Sequence, residues 1–215
     1  MNTTIPGSEY LTGTLDVISQ SLSIPVLIIL VIIVIISIIV LGGFISEYAS
    51  RKKVNIATIS DGIFSISQSN SIEELKNTII NMKIPKSQKR ILTEIAETKN
   101  LDKFSREALA RKLVENEEEK IDKSLEKTDI ITRIGPTLGL MGTLIPMGPG
   151  LAALGSGDIN VLAQSLTVAF NTTIVGIGSG ALCYIISKIR RRWYDKYISD
   201  LDALTDATLD YMNKA

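Results

Sequence analysis

Gly135-Pro136-Thr137-Leu138-Gly139-Leu140-Met141-Gly142-Thr143-Leu144-Ile145-Pro146 decides how this chain is read. The stretch is apolar and uncharged, as a membrane span must be, yet four of its first eight residues are Gly or Pro. Both are poor helix formers in water. In lipid, small residues let two helix backbones approach closely, and that packing is a main source of helix association. Residues 24–45 show the contrasting type: nearly all Ile, Val and Leu, with Ser37 the lone polar side chain. The 135–146 segment is therefore expected to face protein, or a pore, rather than lipid.

Working outward, three long windows carry no charge: 24–45, 134–157 and 159–187. About 20 apolar residues suffice to cross the hydrocarbon core as a helix. The chain is expected to be all-α, a polytopic membrane protein with three transmembrane helices at 24–46, 133–155 and 163–187. An outer N-terminal segment (1–23), a cytoplasmic helical insert (47–132), an outer loop (156–162) and a cytoplasmic C-terminal helix (188–215) complete it. Within the first segment, Tyr10 to Leu22 has the makings of an amphipathic surface helix, weakened by Gly13 and by Ser and Thr. The first apolar run is too long for a signal peptide and no Lys or Arg precedes it.

Charge sets the orientation. The 23 Lys and Arg balance 23 Asp and Glu, but every basic residue lies in 51–127, at Arg133, or in 188–214. The N-terminal arm has only Glu9 and Asp16, and the loop between spans two and three only Asp158. The positive-inside rule places the N-terminus outside and the C-terminus in the cytoplasm. Arg51-Lys52-Lys53, and Lys188 with Arg190-Arg191-Arg192, would anchor spans one and three at the inner face.

The insert reads as helical throughout. Ser71 followed by Glu74 is a capping box, opening a helix to about Met82, before Pro85. A second helix is expected over 86–99. A third starts near Lys103, with Leu109, Leu113, Ile121, Leu125 and Ile130 as its apolar positions. No Gly or Pro follows until Gly135, so this helix should run straight into span two. None lies between 186 and 212 either, so span three should continue past the membrane, with Trp193, Tyr197, Leu201, Leu204 and Leu209 along it.

Composition excludes most soluble-enzyme chemistry. With no His and a single Cys183 inside a span, there is no disulfide framework, no common metal site and no His-based triad or proton relay. Nothing resembles a P-loop, and Gly176-Ile177-Gly178-Ser179-Gly180 does not match the dinucleotide pattern. No enzyme activity, cofactor, metal or nucleic-acid partner is expected.

Small residues repeat at helical spacing in both later spans: Gly135, Gly139, Gly142, Pro146 and Gly150 in the second, and Ser165, Ala169, Thr172, Gly176, Ser179 and Cys183 in the third. Tight helix packing explains them most simply. Buried polar groups are another matter. Gln164, Thr167, Asn171, Thr172 and Thr173, with Thr143 in span two, cannot all meet hydrocarbon without cost, so several should face protein or a wet cavity. A Thr can also bond back to its own helix. No Asp, Glu, Lys, Arg or His lies within any span core. If this chain conducts protons, the carrier group belongs to another polypeptide.

These residues resemble the MotA/TolQ/ExbB proton channel family. Gly135-Pro136-Thr-Leu-Gly139-Leu-Met-Gly142-Thr143 is similar to its second-span Ala-Pro-x-x-Gly-Leu-x-Gly-Thr, and Ala169-Phe-Asn-Thr-Thr173-Ile-Val-Gly176 to its third-span Ala-Leu-x-x-Thr-x-x-Gly. The resemblance implies an ExbB/TolQ-like subunit of an ion-driven motor in the cell (inner) membrane. It implies a homo-oligomeric ring, typically a pentamer, around an ExbD/TolR-like single-span partner whose essential Asp carries the proton. Thr143 and Thr173 would face that Asp, with Asn171 and Thr172 adding polarity to the pathway. Pro136, Gly139, Gly142 and Gly176 would pack the helices, and span one would meet membrane lipid on the outside of the ring. Two departures mark a divergent member: Val168 stands where a Glu is usual, and Pro146 and Pro149 interrupt the outer half of span two. The competing reading is a non-conducting oligomeric scaffold that docks a cytoplasmic partner through Glu115, Glu117, Glu118, Glu119 and the tail.

Overall fold

Among the described residues the structure is all-helical. The computed structural model describes residues 8–51 and 54–214, as α1 (Ser8–Ser50), α2 (Ile56–Ser67), α3 (Ile72–Asn81), α4 (Lys86–Ala96), α5 (Lys103–Gly155) and α6 (Ile159–Lys214). α1, α5 and α6 are long and apolar enough to cross a membrane. Lys52 and Lys53 of the expected basic anchor, and the first seven residues of the N-terminal arm, lie outside the described residues. The chain divides into a membrane unit, made of the chain up to Ala49 with Glu126–Lys188, and a second unit, made of Ser50–Leu125 with the chain from Ile189. α5 and α6 run unbroken through both, as the missing breakers required.

In the membrane unit, α1 buries Val26, Leu30, Ile33 and Ser37, which recur at steps of three and four on one face. Its other faces leave Ile28, Val31, Ile35, Ile38 and Ile39 exposed. Ile33 packs with Ile131 of α5 and Cys183 of α6, and Ile36 and Leu138 close over them. The Ser37 hydroxyl donates to the Ile33 carbonyl at 2.7 Å and lies 3.5 Å from the Cys183 sulfur.

Three local expectations change. Residues 8–23 are not a separate element: α1 starts at Ser8 and passes residue 23 without a break. Gly13 costs such a helix only about 1 kcal/mol, and the Thr14 and Ser21 hydroxyls bond back to the Tyr10 and Val17 carbonyls, both at 2.7 Å. The second span is not broken at Pro146 or Pro149, since α5 stays helical to Gly155. Each proline removes one backbone hydrogen bond, to the carbonyls of Gly142 and Ile145, a loss that membrane helices tolerate when neighbours or water compensate. The connection between α5 and α6 is only residues 156–158, and α6 begins four residues before the expected 163. Gly157 adopts φ +83°, the left-handed conformation that favours Gly. The Asp158 and Gly157 amides bond the Ala153 and Leu154 carbonyls at 2.9 and 3.0 Å, a Schellman end to α5. The Asp158 carboxylate then caps α6 through the Val161 amide at 3.2 Å.

In the second unit, α2, α3 and α4 enclose one apolar core with the adjoining parts of α5 and α6. Ile66, Leu75, Ile79, Leu92, Ile95, Leu201 and Leu204 are its largest fully buried members. Gly62 lets α2 come close, since a methyl there would meet the Met82 Cε at 2.8 Å. The Ser71 hydroxyl accepts the Glu74 amide at 3.2 Å, and the Glu74 carboxylate reaches back to the Asn70 amide at 2.8 Å, one residue beyond the usual capping-box partner. α4 ends at Ala96 rather than residue 99. Among the expected apolar positions of α5, Leu125 is buried but Ile130 is 47% exposed, and Ile131 takes the inward place.

Candidate functional site

The α5–α6 contact in the membrane unit is made backbone to backbone. A methyl group built on Gly176 would lie 2.5 Å from the Gly135 carbonyl oxygen and 2.7 Å from the Gly139 Cα. At Gly142 it would lie 2.7 Å from Thr172 Cβ, at Gly150 2.8 Å from Ser165 Cβ, and at Gly180 2.7 Å from the Pro136 ring. Residue numbers rise on α5 as they fall on α6, so the two small-residue stripes form one antiparallel seam. Helices this close gain dispersion contacts along their whole length, with Cα–H···O contacts as a secondary contribution. At these glycines the two backbones leave no room even for a methyl group.

Around α5 the seam separates two further faces. Ile131 and Leu138 face α1 through Ile33 and Ile36. Pro136 and Thr143 lie on a stripe offset from those positions by two residues, about 200° around the helix, and so on nearly the opposite side. On α6, Gly180 meets Pro136, and Thr173 lies seven residues before Gly180 on the same face. The same register places Thr143 across from Thr173. Both threonines, half-buried, therefore flank the seam on the side away from α1.

Their hydroxyl protons are already engaged. Thr143 Oγ1 donates to the Leu140 carbonyl at 2.6 Å, and Thr173 Oγ1 to the Ala169 carbonyl at 3.1 Å. What remains on each oxygen is acceptor capacity, suited to a protonated carboxyl or a dehydrated cation. Between residues 134 and 187 the only charged side chain is Asp158, in the α5–α6 connection, so within this stretch the face carries acceptors but no charge of its own.

The four residues expected in the pathway, Thr143, Asn171, Thr172 and Thr173, do not share one face. Thr172 is 6% exposed, turned into the seam against Gly142, with its hydroxyl bonded to the Val168 and Ala169 carbonyls at 3.0 and 2.9 Å. Asn171 is exposed, and its place two residues before Thr173 puts it on the far side of α6. Pro136, Gly139, Gly142 and Gly176 all stand in the seam. The acidic run of α5 is largely occupied within the chain. Glu115, Glu117 and Glu119 pair with Lys112, Lys120 and Lys123 at 3.3, 3.2 and 2.7 Å. Glu117 also accepts the Tyr197 hydroxyl at 3.0 Å. Sequence reasoning missed Asp129, whose Oδ1 accepts the Ser187 hydroxyl at 2.5 Å; its heptad spacing from Pro136 and Thr143 was the available signal.

The fold and this face define a multi-pass membrane protein whose second and third spans are fused along glycine and carry an uncharged hydroxyl face. A family model, the MotA/TolQ/ExbB proton channel family, matches residues 75–203, more than half of the chain, and the chain belongs to that family. The match takes in α5, the second and third spans and most of the second unit but not α1. The family is one of channels rather than a class of enzymes. The biopolymer transport protein exbB1 of Vibrio cholerae serotype O1 (strain ATCC 39315 / El Tor Inaba N16961) is 34% identical over 116 residues, 52% of this chain and 49% of that relative. The chain thus aligns with about half the length of that relative.

Proposed function

We propose that this chain is an ExbB/TolQ-like subunit of an ion-driven membrane motor. Several copies form a ring, with α1 towards lipid and the Thr143–Thr173 face turned inward, around transmembrane helices of a single-span partner. That partner supplies the carboxylate which carries the ion past the two threonines. The N-terminus lies outside and the C-terminus in the cytoplasm, consistent with the placement of every Lys and Arg. One observation carries the reading: Thr143 and Thr173 flank a close-packed glycine seam on the side away from α1, in spans whose residues 134–157 and 159–187 carry no charged side chain. The glycines bring α5 and α6 together, so the path must run along their shared outer face. Each charge falling through 100 mV releases about 2.3 kcal/mol, enough to drive a conformational step.

The test is the double variant Thr143→Val, Thr173→Val, which keeps shape but removes both oxygens. Produced with the single-span partner, it should assemble at normal mass and lose ion-dependent work and ion flux. Normal flux in the variant would remove these residues from the path. Running the assay on a proton gradient and then on a sodium gradient identifies the ion, and the mass of the purified complex gives the copy number.

A further inference from the structure

Within the second unit, hydrogen bonds fix which end each helix presents. α6 enters that unit at Ile189, without a break after the span expected to end at 187, so position along α6 measures distance from the membrane. At the near end, the Gln88 side chain donates to the Tyr197 carbonyl at 2.9 Å, and the Ser87 hydroxyl lies 2.8 Å from that of Tyr197. At the far end, Arg106 bonds the Met212 carbonyl at 2.8 Å and, past the end of α4, the Leu101 carbonyl at 3.0 Å. α4 therefore runs alongside α6 in the same direction, away from the membrane. α3 runs the other way, since Lys76 pairs with Glu97 at 3.0 Å while Lys89 donates to the Ile80 carbonyl at 2.6 Å. The turn between α3 and α4 thus lies at the membrane-proximal end of the unit. That end is basic. From residue 75 through 93 the chain holds Lys76, Lys83, Lys86, Lys89 and Arg90 and no Asp or Glu. Lys89 is engaged by the Ile80 carbonyl, whereas Lys83, Lys86 and Arg90 are exposed. α4 starts without a side-chain cap, so the positive end of its dipole adds to the field.

We propose that the α3–α4 turn, through Lys83, Lys86 and Arg90, docks on anionic phospholipid headgroups of the cytoplasmic leaflet. This rests on the cytoplasmic placement of the second unit and not on the ion pathway. Tyr197, at the level of Ser87, stands ten residues past 187, roughly 15 Å along the helix. The headgroup layer fills about 5–8 Å of that distance, and the remainder is within the Debye length of about 10 Å at 0.1 M salt. Lys86 and Lys83 precede Ser87 and so lie on the membrane side of it. The cytoplasmic leaflet is negative, and its pull on Lys and Arg falls off over that same length. Three exposed cations in a segment without an acid complement such a surface. Ile56 and Ile80, exposed apolar side chains at the same end, suit the boundary between headgroups and acyl chains.

The experiment reads the distance of the turn from lipid. In a Cys183→Ser background, Asn81→Cys carries a fluorophore beside the turn and Asn100→Cys carries one at the far end, both at exposed positions. The full chain with its single-span partner is placed in vesicles of phosphatidylcholine alone, or of equal parts phosphatidylcholine and phosphatidylglycerol, with a headgroup-spin-labelled lipid as quencher. The docked fraction at Asn81→Cys should rise at least about fivefold in the anionic vesicles, the gain expected from one basic residue near the surface. The combined variant Lys83→Gln, Lys86→Gln, Arg90→Gln should return it to the neutral value. So should about 1 M salt with the turn unaltered, where the Debye length is about 3 Å. The Asn100→Cys label should stay unquenched throughout. Equal quenching at Asn81→Cys in both vesicles, or full quenching in the combined variant, overturns the docking. An impermeant thiol reagent on cells tests the placement separately. Labelling of Asn100→Cys only after permeabilisation supports it, whereas labelling in intact cells overturns the placement and the docking together. With the placement intact, an unquenched turn in anionic vesicles removes the docking alone and leaves the Thr143–Thr173 path standing.

Discussion

Gly176 and Gly139 meet backbone to backbone: a methyl group on Gly176 would stand 2.7 Å from the Gly139 Cα, and the reverse substitution 3.2 Å from the Gly176 Cα. Backbone cannot swing aside as a side-chain end can, so the two helices must separate to admit one carbon. Gly176→Ala should therefore cost about 1–3 kcal/mol or more and lower the unfolding temperature of the purified protein in detergent. Gly178→Ala is the control, since nothing lies within 4 Å of the position. It should not lower stability, and helix propensity favours it by up to about 1 kcal/mol. An equal loss in both would mean that the seam does not depend on close approach.

At the α5–α6 connection the constraint is conformational rather than steric. Gly157 has open space around it, but its φ of +83° strains any residue with a Cβ. Gly157→Ala should destabilise by about 1–2 kcal/mol, whereas Gly155→Ala, also in open space but inside the helix, should not. Thermal unfolding of the two variants side by side checks this.

The start of α3 rests on a side chain. Ser71→Ala removes the acceptor of the Glu74 amide and should cost about 1 kcal/mol. Amide exchange at Glu74 should speed up, while exchange at α4 residues is unchanged. Ser71→Asp should leave both near wild type.

Tyr197 gives the second unit a response to alkali. Burial pushes its phenol up to about 12, and the Glu117 carboxylate adds to the shift against the opposing Ser87 hydrogen bond. An unfolded tyrosine titrates near 10. Below about pH 10 both states keep the proton, and Tyr197 makes stability no more pH-dependent. Between about 10 and 12 the unfolded chain loses its proton while the folded one retains it, so stability falls as pH rises. Tyr197→Phe should remove this fall and, by breaking the bonds to Ser87 and Glu117, lower stability at neutral pH by about 1 kcal/mol. Ultraviolet titration of tyrosinate, with unfolding measured at each pH, tests both parts.

Much of the architecture was legible because its determinants are local. The three spans, the capping box at Ser71 and the unbroken runs of α5 and α6 follow from hydropathy and from where Gly and Pro are absent. The errors fall where local signals are weak. α6 begins early because Gly157 and Asp158 together end one helix and start the next, in a stretch that hydropathy reads simply as a gap. Pro146 and Pro149 look like breaks, but a proline in a helix removes only one hydrogen bond, and a membrane helix survives that. Ile130 and Ile131 are equally apolar, and only the position of α1 decides which turns inward.

The same division holds for the function. Sequence alone determined that this is a helical membrane chain with its Lys and Arg gathered in the segments assigned to the cytoplasm and with hydroxyls but no Asp, Glu, Lys, Arg or His in its spans, because composition and spacing are properties of the chain itself. Only the tertiary structure decided which hydroxyl looks where. Thr172 and Thr173 are neighbours in sequence, yet about 100° of helical turn sends one into the glycine seam and the other to the face it shares with Thr143. The bond between Asp129 and Ser187 is likewise tertiary, since 58 residues separate its partners along the chain and only the antiparallel register of α5 and α6 brings them together.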